Sequence, residues 1–144
     1  ENTGRVNYGP RLVDGRSGLV DPPLLDGREL HGWQVFPLPM GSPDRLRGWT
    51  TAAVSGPAFH RGHFRVERPA DTYLDTRAFG KGFAWVDGRN LGRIWKIGPQ
   101  QDLYAPGPWL HRGDNSVVVF DLETVAAPRM SGAERPRWTQ AAAP

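Results

Sequence analysis

KGFAWVDGRNLGRIWKIGPQQDLYAPGPWLHRGDNSVVVFDLE, residues 81–123, carries the pattern that decides the fold. Phe83 to Val86 (FAWV) is a short apolar run, and Asp87-Gly88 follows at once. An Asp-Gly pair supplies the positive-φ residues of a two-residue primed turn. The chain should therefore reverse there and return through Asn90 and Leu91 towards Trp95. Leu103-Tyr104 predicts a further short strand, and Trp109-Leu110 leads to a predicted turn at Arg112-Gly113-Asp114-Asn115. Ser116 to Leu122 (SVVVFDL) then sets four large apolar residues in a row, which predicts a central strand covered on both faces.

Strand signals continue upstream. Phe59 to Val66 predicts one strand, with Gly62 a bulge, and Thr72 to Phe79 a second that alternates Tyr73, Asp75 and Arg77 against Leu74, Thr76 and Ala78. Residues 41–56 lack a firm period and predict a surface connection, with a short helical turn around Asp44 to Leu46. Leu30 to Phe36 (LHGWQVF) reads as a strand ended by Pro37 and Pro39. Before it, Asp14-Gly15 and Asp26-Gly27 bracket an extended stretch from Gly18 to Leu25. Residues 125–144, rich in Ala, Pro and Arg, read as a tail from which only Trp138 docks.

Composition agrees with an all-β class. Gly 18 and Pro 14 among 144 residues oppose a helical bundle, and turn signals recur between short strands, so the chain is a sandwich or a barrel. Its length fits one domain with a strip of a second, and falls short of the ~250 residues of a (β/α)₈ barrel. Net charge is +3, and the basic residues are scattered from Arg5 to Arg137. Arg61, His63 and Arg65 alternate on one strand face, a solvated face with no dense basic stripe, so nucleic acid is not an expected partner. No apolar run approaches a membrane span, so no membrane partner is expected. The chain opens at Glu1 without a signal pattern and reads as a piece of a longer protein. Zero cysteines exclude disulfides and Cys-ligated metals. His60 and His63, three apart on a strand, face opposite ways, so no metal site and no cofactor is expected.

Residues 81–123 resemble the C-terminal jelly-roll of glycoside hydrolase family 35 β-galactosidases. That family typically reads KG-x-V-W-V-N-G-x-N-L-G-R-Y-W, then GPQ-x-x-L-Y-x-P, then L-x-x-G-x-N and a V-x-E-L-E ending. The stretches ENTGRVNYG (Glu1 to Gly9) and GPAFHRG (Gly56 to Gly62) resemble further family segments, as does the spacing to Trp33 and to Phe36-Pro37-Leu38. Three positions depart from it: Asp87 replaces an Asn, Phe79 a Trp, and Ile94 a Tyr, the last weakening an aromatic sugar platform in that loop.

The resemblance implies an antiparallel β-sandwich, jelly-roll and galactose-binding-domain-like. Residues 1–40 would be strands at the junction with a preceding jelly-roll, 41–56 a surface connection, 57–124 the C-terminal sandwich and 125–144 the tail. It implies a non-catalytic accessory region, with the catalytic barrel and the preceding jelly-roll of a parent β-galactosidase as partners. The alternative is a free-standing lectin-like module for terminal galactose.

A retaining glycosidase needs two carboxyl groups ~5–5.5 Å apart, one protonated and one ionised. No glutamate lies near another in sequence, and Asp71 and Asp75 read as a solvated face beside Arg68 and Arg77, so no catalytic residue is assigned. Sugar recognition sets an aromatic face beside groups that take hydroxyls. Asn90, Arg93, Trp95 and Trp109 are the candidates for a galactoside site, against the alternative that Trp85, Trp95 and Trp109 are core. From the resemblance alone, Asn7 and Tyr8 would run towards the barrel and line its galactose pocket.

Overall fold

The computed structural model describes residue 19, residues 21–37 and residues 39–138. The chain divides into two compact units, Glu1–Leu38 and Pro39–Pro144. Asn7, Tyr8 and Asp14-Gly15 lie outside the described residues.

In the first unit, β1 (Leu24–Leu25) pairs antiparallel with β2 (Arg28–Glu29). Asp26 (φ 51) and Gly27 (φ 76) make the turn, both in the left-handed region that the Asp-Gly pair was read to supply. The predicted strand at Leu30 to Phe36 does not form. Gly32 (φ 73) bends the chain out of the extended region, and the Trp33 indole N–H donates back to the Leu30 carbonyl at 3.0 Å. Among the described residues no strand pairs with this stretch.

The second unit is an antiparallel β-sandwich. A four-stranded sheet runs in the order β3 (Ala58–Val66), β8 (Gly113–Asp121), β5 (Lys81–Val86), β6 (Arg89–Trp95). A three-stranded sheet runs in the order β7 (Asp102–Ala105), β4 (Thr72–Asp75), β9 (Gly132–Ala133). β8 is central, as its apolar run requires: it pairs with all of β3, from Ala58 opposite Asp121 to Val66 opposite Gly113, and with β5 on its other side. Between the sheets lie Ala84, Val86, Ile94 and Val119 from the larger and Leu74, Leu103 and Ala105 from the smaller, closed by Phe79 and Leu110.

Two features lock β8 to β5. The Asp121 carboxylate is fully buried and accepts from three main-chain N–H groups, those of Gly80 (2.7 Å), Lys81 (3.4 Å) and Glu123 (2.7 Å). Beside it, a Cβ on Gly82 would stand 1.7 Å from the Phe120 carbonyl oxygen, so only glycine fits there. At the other end of β5, Asp87 (φ 46) and Gly88 (φ 75) form the primed turn, and the Asp87 carboxylate accepts the Ser116 N–H at 2.8 Å.

The structure corrects the reading at several places. Gly62 is in regular register with Val117, and the bulge lies in the β5–β6 pair, where Ala84 faces Gly92 and Trp85 faces Asn90 with Leu91 left over. The second predicted strand stops at Asp75, because the Phe79 N–H closes a turn onto the Thr76 carbonyl. The turn before β8 is shorter than 112–115, since Asp114 and Asn115 already pair with β3. The buried Asn115 side chain closes it, accepting from the His111 N–H and donating to the His111 and Gly113 carbonyls. The predicted helical turn is a single 3₁₀ turn at Pro43–Arg45. Trp138 is not the only docked part of 125–138: Gly132–Ala133 form β9, and Arg137 bonds Asp102 and Asp75. Trp138 itself pairs through its backbone with Gln100 while its ring stays exposed.

Gly82→Ala should destabilise the domain by on the order of 3 kcal/mol, since backbone must move to admit the methyl group. Gly41→Ala, where nothing stands within 4 Å, is the control and should change stability by less than ~0.5 kcal/mol in urea unfolding. Equal unfolding midpoints for the two variants would mean that β5 and β8 do not approach as described.

Candidate functional site

The outer face of the four-stranded sheet carries the candidate sugar-binding residues. On a regular strand Asn90 and Arg93 would point to opposite faces. The bulge at Leu91 changes this: Asn90 stands opposite Trp85 and Arg93 opposite Phe83, while Leu91 packs inward against the core. Asn90, Arg93 and Trp95 therefore share the outer face. Trp109 does not join them. It ends a 3₁₀ turn at Gly107–Trp109, where the Arg89 guanidinium stands 5.9 Å from its ring and donates to its carbonyl at 3.2 Å.

A row of aromatics crosses the same face. Phe83, Phe120 and Phe59 are successive cross-strand partners on β5, β8 and β3, and Phe59 and Phe120 lie 4.8 Å apart. Phe83 is 41% exposed and Trp95 39%, whereas Trp85 is buried. The sequence reading took all of FAWV as one apolar run and so missed Phe83. The signal that finds it is the period of two, once Trp95 is paired with Lys81. Ile94 points into the core, so its replacement of a family tyrosine takes nothing from this face.

The electrostatics of the face are set by cations on Trp95. The Arg93 guanidinium stands 5.0 Å from the ring centroid and the Lys81 ammonium 6.0 Å. Such stacking is worth roughly 0.5–1 kcal/mol at exposed sites, and it occupies ring surface that a sugar would need. The Asn90 side chain is engaged as well, its Oδ1 accepting the Gly92 N–H at 2.7 Å.

The carboxylates gather on the outer face of the smaller sheet. Asp75 and Asp102 are cross-strand partners. Arg77 holds Asp75 through Nε (3.0 Å) and Nη2 (2.7 Å), and Arg137 bridges both acids. The Arg77 hydrogen bond holds the Asp75 carboxyl below its ordinary value, and the same contact raises Arg77. Asp71 is also lowered, first by the Gly107 N–H and then by the Tyr104 hydroxyl, whose own ionisation is raised by that bond. Asp71 and Asp75 are thereby favoured in the ionised form. A glycosidase's general acid needs the opposite environment.

Two packed antiparallel sheets, the larger with a row of aromatics on its outer face, define the class as a β-sandwich. Residues 57–115 match the family described as the β-galactosidase galactose-binding domain, and residues 1–39 match the β-galactosidase first all-beta domain. A β-galactosidase of Xanthomonas manihotis is 68% identical over 104 residues, covering 72% of this chain and 17% of that protein. Human β-galactosidase-1-like protein 2 is 39% identical over 143 residues, covering 94% of the chain and 22% of that protein. Arabidopsis thaliana β-galactosidase 17 is 38% identical over 145 residues, covering 86% and 21%. The chain belongs to the β-galactosidase family, in the region of its galactose-binding and first all-beta domains. It spans about a fifth of the length of these relatives.

The ion-pair cluster gives a pH prediction. Because Asp75 is lowered in the folded state, its contribution to stability is present above the unfolded carboxyl pKa of ~3.9 and is lost as pH falls through the lower folded value. Asp75→Asn should lower the melting temperature at pH 7, and the gap to the unsubstituted chain should close as pH falls through the lowered folded value. A gap that stays constant from pH 7 to pH 2 would show that Asp75 is not held by Arg77.

Proposed function

We propose that the chain is a non-catalytic accessory β-sandwich of a β-galactosidase. It packs against and supports the catalytic barrel and the preceding jelly-roll of its parent, and its outer face contributes to galactoside binding. The observation that carries this reading is the exposed apolar surface of the described residues 19–37. Leu19, Leu24, Leu25, Trp33, Val35 and Phe36 all stand well out in solvent, Val35 at 85% and Phe36 at 79%. A contiguous stretch of this kind marks a surface made to be covered. Residues 1–39 match the β-galactosidase first all-beta domain, and the rest of such a domain is the cover that this reading supplies.

The carboxylates support the non-catalytic half. Asp75 and Asp102, which face each other, are consumed by Arg77 and Arg137. Asp121 is consumed by main-chain N–H groups. Asn7 and Tyr8 enter on resemblance alone, as lining for the parent's galactose pocket.

A free-standing lectin-like module for terminal galactose is the second reading, favoured by the bulge that gathers Asn90, Arg93 and Trp95. Arg93 and Lys81 over the Trp95 ring weigh against it.

The test uses the Xanthomonas manihotis enzyme truncated of its matching segment. Adding this chain in trans should form a complex on size exclusion and raise the thermal stability of the truncated enzyme. Leu25→Ser, Val35→Ser and Phe36→Ser together should abolish complex formation. A truncated enzyme that never associates with the chain would sink the reading.

A further inference from the structure

A cleft of about 1120 Å³ opens along β3, the edge strand of the larger sheet, between residues 46–54 and residues 124–130. It lies away from Arg93 and Trp95, and neither lines it. Its floor is apolar where Phe79, Val117 and Val119 reach it. Every charged residue that lines it is an arginine: Arg47, Arg61 and Arg129, with no Asp or Glu among the described lining residues. In a chain with 18 basic and 15 acidic residues, such one-sidedness is a local property of the cleft.

One side chain points to the charge of the ligand. The Arg61 guanidinium stacks over the half-buried Trp49 ring, 4.4 Å from its centroid. Stacking fixes the guanidinium plane and leaves its N–H edge free for a planar or tetrahedral anion. On the opposite face of β3, the Nε2 of His60 is buried without a hydrogen-bond partner. That nitrogen is closed to a water-sized group, so His60 enters the site as part of its wall.

We infer that this cleft is a binding site for an anionic oligosaccharide, a galactose-type chain bearing carboxylate or sulfate groups. One ring of the chain would pack on the apolar floor beside His60, and an acidic group further along it would bond the edge of Arg61 with Arg129 as second cation. The inference rests on the reading of the chain as part of a galactoside-processing enzyme, because only that reading makes the ligand a sugar.

The test is NMR titration of the chain with four probes: trigalacturonate, sulfated galactobiose, neutral galactobiose and a short poly-glutamate peptide. The inference predicts that at least one acidic sugar shifts the resonances of His60, Trp49 and Phe79. It predicts binding that weakens with salt, and affinity about tenfold lower in Arg61→Gln/Arg129→Gln with the spectrum's dispersion unchanged. Trp95→Ala, on β6 at the opposite edge of the same sheet and outside the lining of the cleft, should leave this binding intact. Which acidic sugar binds distinguishes carboxylate from sulfate. Equal binding of neutral galactobiose, loss of binding in Trp95→Ala, or no binding of either acidic sugar would overturn the inference. So would stronger binding of the peptide, which would assign the cleft to a protein partner. None of these outcomes touches association with the truncated enzyme, so the two readings fail separately.

Discussion

Everything in the sandwich is referred to β8, and β8 is held by a buried charge. Asp121 has no solvent exposure, and an unpaired carboxylate there would be prohibitive. Three main-chain N–H groups converge on it instead, from both sides of the junction between β5 and the chain leaving β8. That convergence requires the backbones to approach closely, and Gly82 is what permits it. The register of β5 against β8 is then fixed, so Phe83 aligns with Phe120 and Trp85 with Val118.

From that register the outer face follows. β6 is attached to β5 by the Asp87-Gly88 turn, and the turn is pinned in its own right. Asp87 Oδ1 takes the Ser116 N–H, and His111 Nδ1 stands 3.3 Å from Oδ2. With both ends of the hairpin anchored, the extra residue in β6 is absorbed as a bulge at Leu91, which turns Asn90 onto the face that Arg93 and Trp95 occupy. The site thus depends on the core twice, through the anchored turn and through Leu91's inward packing.

The parts legible in the sequence are those whose cause is local. Asp26-Gly27 and Asp87-Gly88 make primed turns because the two residues suffice to define them, and SVVVFDL is central because it has no polar face to expose. Non-local causes were not legible. Gly62 and Gly92 both interrupt strands, but only Gly92, at φ 116, sits beside a bulge, and pairing with β5 decides that. Leu30 to Phe36 reads as a strand and forms none. At the candidate site, the sequence left Trp95 between the core and an outer face, and the cations over its ring were not legible, since Lys81 comes from the neighbouring strand. Trp109 was drawn in by proximity in sequence, and the 3₁₀ turn carries it to Arg89 instead.

The proposed reading makes the sandwich a platform whose chemistry would belong to the parent it supports. That claim is tested most directly by assaying the purified 144-residue chain for β-galactoside hydrolysis across pH 3–9, with its fold verified by NMR dispersion. The account predicts a well-dispersed spectrum and no turnover above a protein-free control. Turnover by the folded chain that a single Asp→Asn or Glu→Gln substitution abolishes would contradict it.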